Sequence, residues 1–372
     1  MSEQTAPEQE ILTEVADGVG LITLNRPKAM NALSRGMVVA IREQLEAWSE
    51  DDAVRAVVVR GAGERGLCAG GDVKTLHGMM TQGRAAEAMG YFHDEYRMNH
   101  AIAAYPKPYV ALMDGFVLGG GVGVSAHGSH RVVTETTKLG MPETGIGFTP
   151  DVGGSWLLAR APHRLGRHLG LTSEFATGAD AIALGFADTL VASSDLDAVV
   201  ADLRAALRGA DAAGAEAAVD AVLARHAQEP GEAPLIAAAA WLEPAYAHDT
   251  VEEVLAELQR VAAEHDDAAV REHAAGIVQT IRAKSPTSVK VTLEALRRLE
   301  QIEDGDVRDG LRQEYRIASH MVRRHDMAEG IRAQLVDKDR NPQWDPATVE
   351  EVGDDVVQAH FAEPADGELA LH

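Results

Sequence analysis

Cysteine is nearly absent from this chain of 372 residues, in which Cys68 is the single example. An internal disulfide is therefore excluded, and a reducing compartment, by default the cytoplasm, is the expected location. Long apolar runs are missing as well: PYVALMDGFVLGGGVGV, the longest, is interrupted by Asp114 and falls short of the roughly 18 apolar residues of a membrane span. The N-terminal MSEQTAPEQE lacks the positive and apolar regions of a secretory signal. These absences predict a soluble protein without a membrane partner.

Positive charge is scarce. The sequence has 34 Lys and Arg against 58 Asp and Glu, which gives a formal net charge of -24. Such a chain repels a phosphate backbone, so no nucleic-acid partner is expected. Much of the acidic excess lies in the Ala-rich second half, where a solvated helical surface accounts for it.

Several catalytic motifs are also missing. The sequence has neither a G-x-x-x-x-G-K-[ST] phosphate loop nor a G-x-S-x-G nucleophile elbow. Residues 121–126, GVGVSA, satisfy the dinucleotide pattern G-x-G-x-x-A, but DGFVLGG separates them from the preceding strand and no series of βαβ units follows. His127 and His130 lack a third ligand, so we expect surface histidines and no metal site.

The first half of the chain alternates between strand and helix patterns. ILTEVADGVGLITLN predicts a hairpin that turns at Asp17 and Gly18, and Ser34 is a candidate cap for the helix that follows. Buried strands at AVRAVVVRGAG and PYVALMDG alternate with helices, which predicts an α/β core. Later, Thr250 and Ser285 are expected helix caps in a region dominated by Ala, Leu, Glu and Arg.

These patterns divide the sequence into four parts. We expect a mobile tail, an α/β core, a helical region and a second mobile tail at residues 1–10, 11–195, 196–361 and 362–372.

Two glycine-rich loops precede helices, Ala69-Gly70-Gly71-Asp72 and Gly119-Gly120-Gly121. Bare backbone at a helix start offers N–H donors and a favourable dipole to a ligand oxygen that gains negative charge. Two such donors in proximity form an oxyanion hole.

The stretch MPETGIGFTPDVGG places Glu143 and Asp151 among Gly, Pro, Thr and apolar residues. Pro142 and Pro150 stiffen the backbone beside the two carboxylates, which suits groups that must be held in place. By themselves, two carboxylates in a loop rich in Pro and Gly are more often caps of neighbouring turns or helices than catalytic groups.

These motifs together resemble the crotonase, or enoyl-CoA hydratase/isomerase, superfamily and within it the 3-hydroxyisobutyryl-CoA hydrolase branch. The resemblance covers roughly residues 11–361. It rests on the following segments: LNRPKAMNAL, GLCAGGDV, YFHDEYRMNHAIAAYPKPYVALMDGFVLGGGVGVSAHG, MPETGIGFTPDVGG, SPTSVKVTLEAL and EYRIASHMVRRHDMAEGIRAQLVDKDRNPQWDP. It implies a ββα spiral core followed by a helical C-terminal region.

The resemblance also implies roles for individual residues. The oxyanion donors fall on the N–H groups of Gly71 and Gly120. A hydratase has catalytic glutamates at the positions of residues 123 and 143, but position 123 is Gly here, and the hydrolase branch pairs the later glutamate with an aspartate, here Asp151.

A second group of residues is implied to bind the substrate. Glu95 matches a substrate-contacting glutamate of the branch, although on the polar face of its helix it is also compatible with simple solvation. Lys28 and Met30 match the border of the CoA nucleotide pocket. Ala69 and Asp72, which flank the first oxyanion donor, complete the group.

The implied reaction is hydrolysis of a short 3-hydroxyacyl-CoA thioester, 3-hydroxyisobutyryl-CoA in valine breakdown, with CoA as part of the substrate and no separate cofactor. Glu143 acts as general base or as nucleophile, and the sequence leaves both open. Hydratase or isomerase chemistry and non-catalytic acyl-CoA binding are the alternatives. Superfamily relatives often form trimers or pairs of trimers, so the resemblance implies a homo-oligomer.

Overall fold

A hairpin opens the fold, as the sequence predicts. The computed structural model describes residues 9–365 and 367–371. In it, β1 and β2 pair antiparallel across Asp17 and Gly18, whose φ angles of 50° and 86° fit a tight hairpin turn. The expected tail at residues 1–10 falls almost entirely outside the described residues.

Nine strands form two sheets among the described residues. The larger sheet has the order β1-β2-β3-β4-β6-β9 and is parallel beyond the opening hairpin, while β5-β7-β8 form a smaller sheet. The strands are β1 (Ile11–Ala16), β2 (Val19–Leu24), β3 (Ala56–Gly61), β4 (Tyr109–Met113), β5 (Phe116–Leu118), β6 (His130–Val133), β7 (Lys138–Gly140), β8 (Ala176–Thr177) and β9 (Thr189–Leu190).

Helices cover the larger sheet and make up almost all regular structure after β9. They are α1 (Arg35–Ser49), α2 (Val73–Thr81), α3 (Ala85–Ala103), α4 (Gly120–Ser125), α5 (Gly154–Arg160), α6 (Leu165–Thr172), α7 (Gly178–Ala183), α8 (Leu196–Leu207), α9 (Ala215–His226), α10 (Pro234–Tyr246), α11 (Val251–Glu264), α12 (Ala268–Ala283), α13 (Pro286–Glu300), α14 (Val307–Met321), α15 (His325–Ile331) and α16 (Asp354–Ala359). No helix in residues 9–365 or 367–371 is long and apolar enough to cross a membrane.

The predicted caps explain where three of these helices begin. The Ser34 side chain accepts a hydrogen bond from the Met37 N–H, and Thr250 and Ser285 cap α11 and α13 in the same way. Each cap satisfies a backbone donor that has no partner within the helix.

The helical region after residue 195 does not have a core of its own. Helices α8 and α9 pack on one face of the larger sheet, where Val199 and Val219 join strand residues such as Val58 and Val110 in one cluster. The later helices share the main apolar cluster with α1 and α3. The division at residue 195 is therefore one of sequence pattern, not of packing.

The end of the chain differs from the expected mobile tail. Leu369 and Leu371 are buried, and Glu368 pairs with Arg316 on α14 at 2.7 Å. Apolar burial and an ion pair hold this segment against the body of the protein, although Asp366 and His372 lie outside the described residues.

Parallel pairing decides where the loops meet. Strands β3 and β4 run side by side, so the loop after β3, with Gly71, emerges at the same edge as the segment after β4, with Gly120. Ligands bind beyond the carboxyl ends of parallel strands because the loops there converge.

Candidate active site

A cavity of about 460 Å³ lies at this edge of the sheet. Its wall brings together residues that are far apart in sequence, from the first glycine loop to the helices of the second half. The predicted site residues that line it are Met30, Ala69, Gly71, Glu95, Gly120, Glu143 and Asp151.

The two predicted oxyanion donors lie next to each other. A Cβ atom built on Gly120 would sit 3.2 Å from the backbone nitrogen of Gly71, so a side chain here would force the two loops apart by a few tenths of an ångström. Gly120 is the first residue of α4, where no intrahelical acceptor exists. Within the described part of the chain, neither N–H group donates to a protein acceptor, so both are free for a ligand oxygen.

Glu143 begins a short 3₁₀ turn, Glu143–Ile146, directly after Pro142. Its side chain is buried, and Oε2 has no hydrogen-bond partner among the residues described. A Cβ on Gly119 would lie 2.5 Å from Glu143 Oε1, so the carboxylate borders the second glycine loop. Burial, with the charges of Glu314 and Glu95, raises the pKa of Glu143 to about 8.

Asp151 and Glu95 face the same cavity, and each is held by a tyrosine of α3. The Tyr96 hydroxyl donates to Asp151 Oδ2 at 2.9 Å, and the Tyr91 hydroxyl lies 3.0 Å from Glu95 Oε1. Glu95 is 2% exposed, so solvation at a helix surface does not explain it. A Cβ on Gly120 would lie 2.9 Å from Glu95 Oε1, which places this carboxyl beside the oxyanion donors.

The three carboxyl groups share a strongly acidic environment. Burial raises the pKa of Glu95 to about 8, and burial together with the charges of Glu95 and Glu143 raises that of Asp151. Like charges in a buried site cannot all ionise at once. Near neutral pH the cluster therefore retains protons, which are available for the acid step of acid–base catalysis.

Position 123 has no room for a side chain. A Cβ on Gly123 would lie 2.6 Å from both Asn99 Nδ2 and Val152 Cβ. Val152 itself has a φ of 56°, which is strained for a β-branched residue. The second glutamate of a hydratase is thus absent from the sequence, and Asn99 and Val152 fill the space that its side chain would need.

Glu314 on α14 fixes the loop that carries Asp151, a role that the sequence analysis missed. Its carboxylate accepts hydrogen bonds from the N–H groups of Gly153 (2.7 Å) and Ser155 (3.1 Å) and from the Ser155 hydroxyl (2.5 Å). Glu314 is 1% exposed and lies among the apolar positions of α14. The signal that would have identified it is an acidic residue on the apolar side of an amphipathic helix.

The helical region also supplies wall residues to which the sequence analysis gave no role: Lys284, Met327, Gln334 and Leu335. Gln334 and Leu335 belong to a π-helical turn, Arg332–Val336, that continues α15. Such turns are rare and occur often at functional sites.

Two predicted substrate-binding residues lie outside the cavity wall. Asp72 caps α2 and pairs with Arg26 at 3.0 Å, and Lys28 is exposed close to Met30. Their roles in substrate binding stay predictions.

The expectation of two surface histidines was wrong. His130 is 8% exposed and pairs with Asp220, and His127 Nε2 donates to the Val152 carbonyl oxygen at 2.7 Å. Burial lowers the pKa of His127 to about 4, so it stays neutral and supports the strained Val152.

Comparison with known proteins agrees with this geometry. The sequence model of the enoyl-CoA hydratase/isomerase family matches residues 19–361. The mitochondrial 3-hydroxyisobutyryl-CoA hydrolase of Gallus gallus is 37% identical over 368 residues, 97% of this chain and 91% of that protein.

Two solved structures are similar over their whole length. A carnitinyl-CoA dehydratase from Mycobacterium thermoresistibile is 48% identical with a TM-score of 0.87, covering 97% of this chain and 98% of that one. An enoyl-CoA hydratase from Rhodobacter sphaeroides is 37% identical with a TM-score of 0.87, covering 98% and 100%. One of these relatives is named as a hydrolase, and the other two are named as a dehydratase and a hydratase. The geometry of the site has to distinguish between these two kinds of reaction.

Proposed function

This chain belongs to the enoyl-CoA hydratase/isomerase family, and we propose that it is a hydrolase of short 3-hydroxyacyl-CoA thioesters. The substrate that we assign is 3-hydroxyisobutyryl-CoA, cleaved to 3-hydroxyisobutyrate and CoA in valine degradation. The observation that carries the proposal is the pairing of Glu143 and Asp151 beside two free N–H groups, together with a blocked position 123.

In this reaction the thioester carbonyl oxygen takes the place facing the N–H groups of Gly71 and Gly120. Attack on the carbonyl carbon moves negative charge onto that oxygen, and two preorganised donors stabilise the charge. Because neither donor is used by the protein, no internal hydrogen bond has to break first.

Glu143 supplies the attacking group. When ionised, its free Oε2 accepts a proton from water as water adds to the carbonyl carbon. Alternatively, Glu143 attacks the carbon itself and forms a mixed anhydride that water then cleaves. Both routes consume one water and release one acid and one thiol.

Asp151 completes the proton balance. The cluster holds a proton near neutral pH, and we assign it to Asp151 for transfer to the departing CoA thiolate. Its hydrogen bond from Tyr96 fixes the orientation of the carboxyl group during the transfer.

Met30 and Lys28 are assigned to the nucleotide end of the CoA ester. Met30 lines the cavity, and the exposed Lys28 beside it is free to meet a phosphate. The cytoplasmic location inferred from the sequence remains a prediction, since the Gallus gallus relative is named as mitochondrial. Self-association also remains a prediction.

Hydratase chemistry is the second candidate, and the names of the two similar solved structures favour it. Addition of water across the double bond of an enoyl-CoA needs a catalytic group that directs water to the β carbon. The contacts of Gly123 with Asn99 and Val152 fill the place from which the second glutamate would act.

The test is a thiol-release assay on 3-hydroxyacyl, enoyl and saturated acyl-CoA esters, with the enoyl absorbance followed in parallel. We expect thiol release to be fastest with 3-hydroxyisobutyryl-CoA. Loss of enoyl absorbance without thiol release would establish the hydratase instead, and saturable binding with neither signal would establish a non-catalytic role.

A further inference from the structure

The cavity has a single lysine or arginine in the part of its wall that the structure describes. Lys284 lies between α12 and α13, and a Cβ on Gly145 would be 3.5 Å from its Nζ. The side chain is largely withdrawn from solvent, and burial lowers the pKa of the ammonium group. All other charged residues of the wall are carboxyl groups: Glu95, Glu143 and Asp151.

The Lys284 ammonium has no ion pair or hydrogen bond with any residue in 9–365 or 367–371. Asp326, which accepts a hydrogen bond from the hydroxyl of Ser285, the residue after Lys284, at 2.6 Å, also accepts from the Asp345 N–H at 2.9 Å and forms no ion pair with Lys284. A partly buried cation without a partner costs free energy, because it has lost part of its hydration. The protein tolerates that cost at a position where a ligand can supply the missing charge.

Gln334 provides a second unused polar group on the same wall. Its side chain comes from the π-helical turn Arg332–Val336, and its amide has no hydrogen bond to the described chain. The hydrogen bonds of a π-helical turn span one more residue than those of an α-helix, which changes the direction of its side chains. Two polar side chains from separate segments thus face the cavity without protein partners.

We propose that Lys284, assisted by Gln334, is a binding subsite for an anionic oxygen group of the CoA ester. An ammonium group and an amide donor that line the same cavity suit a carboxylate or a phosphate, and both occur in CoA esters. The subsite rests on the proposed function for its ligand class, but its charge and its missing partner are independent of the reaction.

Two parts of a CoA ester can carry an anionic oxygen group. One is a carboxylate at the far end of the acyl group, which would extend the substrate range to monothioesters of dicarboxylic acids. Gly145 lies two residues beyond Glu143, so this end of the cavity is near the reacting carbonyl. The other is a phosphate of the nucleotide, at the end of the pantetheine arm.

The experiment compares wild type with Lys284→Met and uses three thioesters. The first is a neutral short acyl-CoA, the second is the same acyl-CoA with a terminal carboxylate, and the third is the neutral acyl thioester of pantetheine, which has no phosphate. Binding to each is titrated as well as kcat/KM. Arg282→Met is the matched control, since it removes the same charge from the same segment, where Arg282 faces Glu350 outside the cavity.

A loss of about tenfold or more in affinity and kcat/KM, confined to the carboxylated acyl-CoA, assigns the subsite to the acyl carboxylate. The same loss for both CoA esters, but not for the pantetheine ester, assigns it to a phosphate. An equal loss with the pantetheine ester, or no loss with any thioester, overturns the proposal. Lys284→Arg should retain most of the affinity.

The titrations keep the subsite separate from the reaction. If no thioester is hydrolysed by wild type, the proposed function fails, but the affinity differences still decide the role of Lys284. The melting temperature of Lys284→Met should not fall below that of wild type, because the variant removes a charge without a protein partner.

Discussion

Glu143 is buried, and its Oε2 atom has no hydrogen-bond partner in the described chain. The oxygens of an ordinary surface glutamate are instead hydrated by solvent. Glu143→Gln keeps the shape of the side chain but removes its ability to take a proton or to attack carbon. Thiol release from 3-hydroxyisobutyryl-CoA should fall by at least about 10²-fold, with binding of the CoA ester retained. Glu216→Gln on the exposed side of α9 is the control, and near-normal turnover in Glu143→Gln would remove Glu143 from the mechanism.

Gly123 illustrates how the structure changes an expectation that sequence alone would give. A methyl group on a helix normally costs little, yet here it would meet Val152 and Asn99 at 2.6 Å. Gly123→Ala should destabilise the protein by about 1–3 kcal/mol and lower turnover, because Val152 cannot move without Asp151. Gly276→Ala in α12, where nothing lies within 4 Å, should be neutral or stabilising. Thermal unfolding and thiol release of both variants measure the difference, and equal melting temperatures would show that the loop yields freely.

At the scale of elements, α14 and the loop from Asp151 to Ser155 act as one unit. Glu314 satisfies two N–H groups of that loop, and its charge contributes to the raised pKa values of Glu143 and Asp151. Together these effects make it a positioning residue.

Glu314→Gln should therefore act in two ways. The amide cannot accept from both N–H groups and the Ser155 hydroxyl as well, so kcat should fall several-fold or more. Removal of a like charge makes ionisation of Glu143 easier, so the acidic limb of the pH profile of kcat/KM should move to lower pH. A purely structural role would lower activity without moving the limb, and the pH profile separates the two.

At the scale of the whole molecule, the buried carboxyl groups link stability to pH. Glu95 has a pKa of about 8 in the folded protein against an ordinary value of 4.5. Between these values Glu95 is ionised in the unfolded chain but keeps its proton in the folded protein. The free energy of unfolding therefore falls as pH rises through this window, and the contribution of Glu95 is fully present below pH 4.5.

Glu95→Gln tests this linkage because the amide stays neutral and keeps a partner for Tyr91. The difference in melting temperature, variant minus wild type, should increase from about pH 5 to about pH 8. Glu216→Gln should show no such trend. A difference for Glu95→Gln that stays constant across the range would mean that Glu95 is ionised in the folded state.

The amino-acid sequence determined the parts of this protein that depend on local backbone geometry and residue type. The hairpin at Asp17 and Gly18, the caps at Ser34 and Ser285 and the α/β core are confirmed, because turns, caps and apolar periodicity are properties of short segments. The sequence also identified the two glycine loops and the pair Glu143 and Asp151 as candidate site residues. Consecutive glycines before a helix and carboxylates within an apolar loop are unusual, and this can be recognised without knowing their spatial neighbours.

Only the tertiary structure decided which groups face one another. Glu314 contacts Gly153 across 161 residues, Lys284 reaches the cavity from the helical region, and Val152 fills the space beside Gly123. The burial of Glu95, His127 and His130 likewise comes from packing between distant segments. Contacts of this kind arise from how whole elements stack, and because charge states follow burial, the chemistry of the site was settled by the fold and not by any single motif.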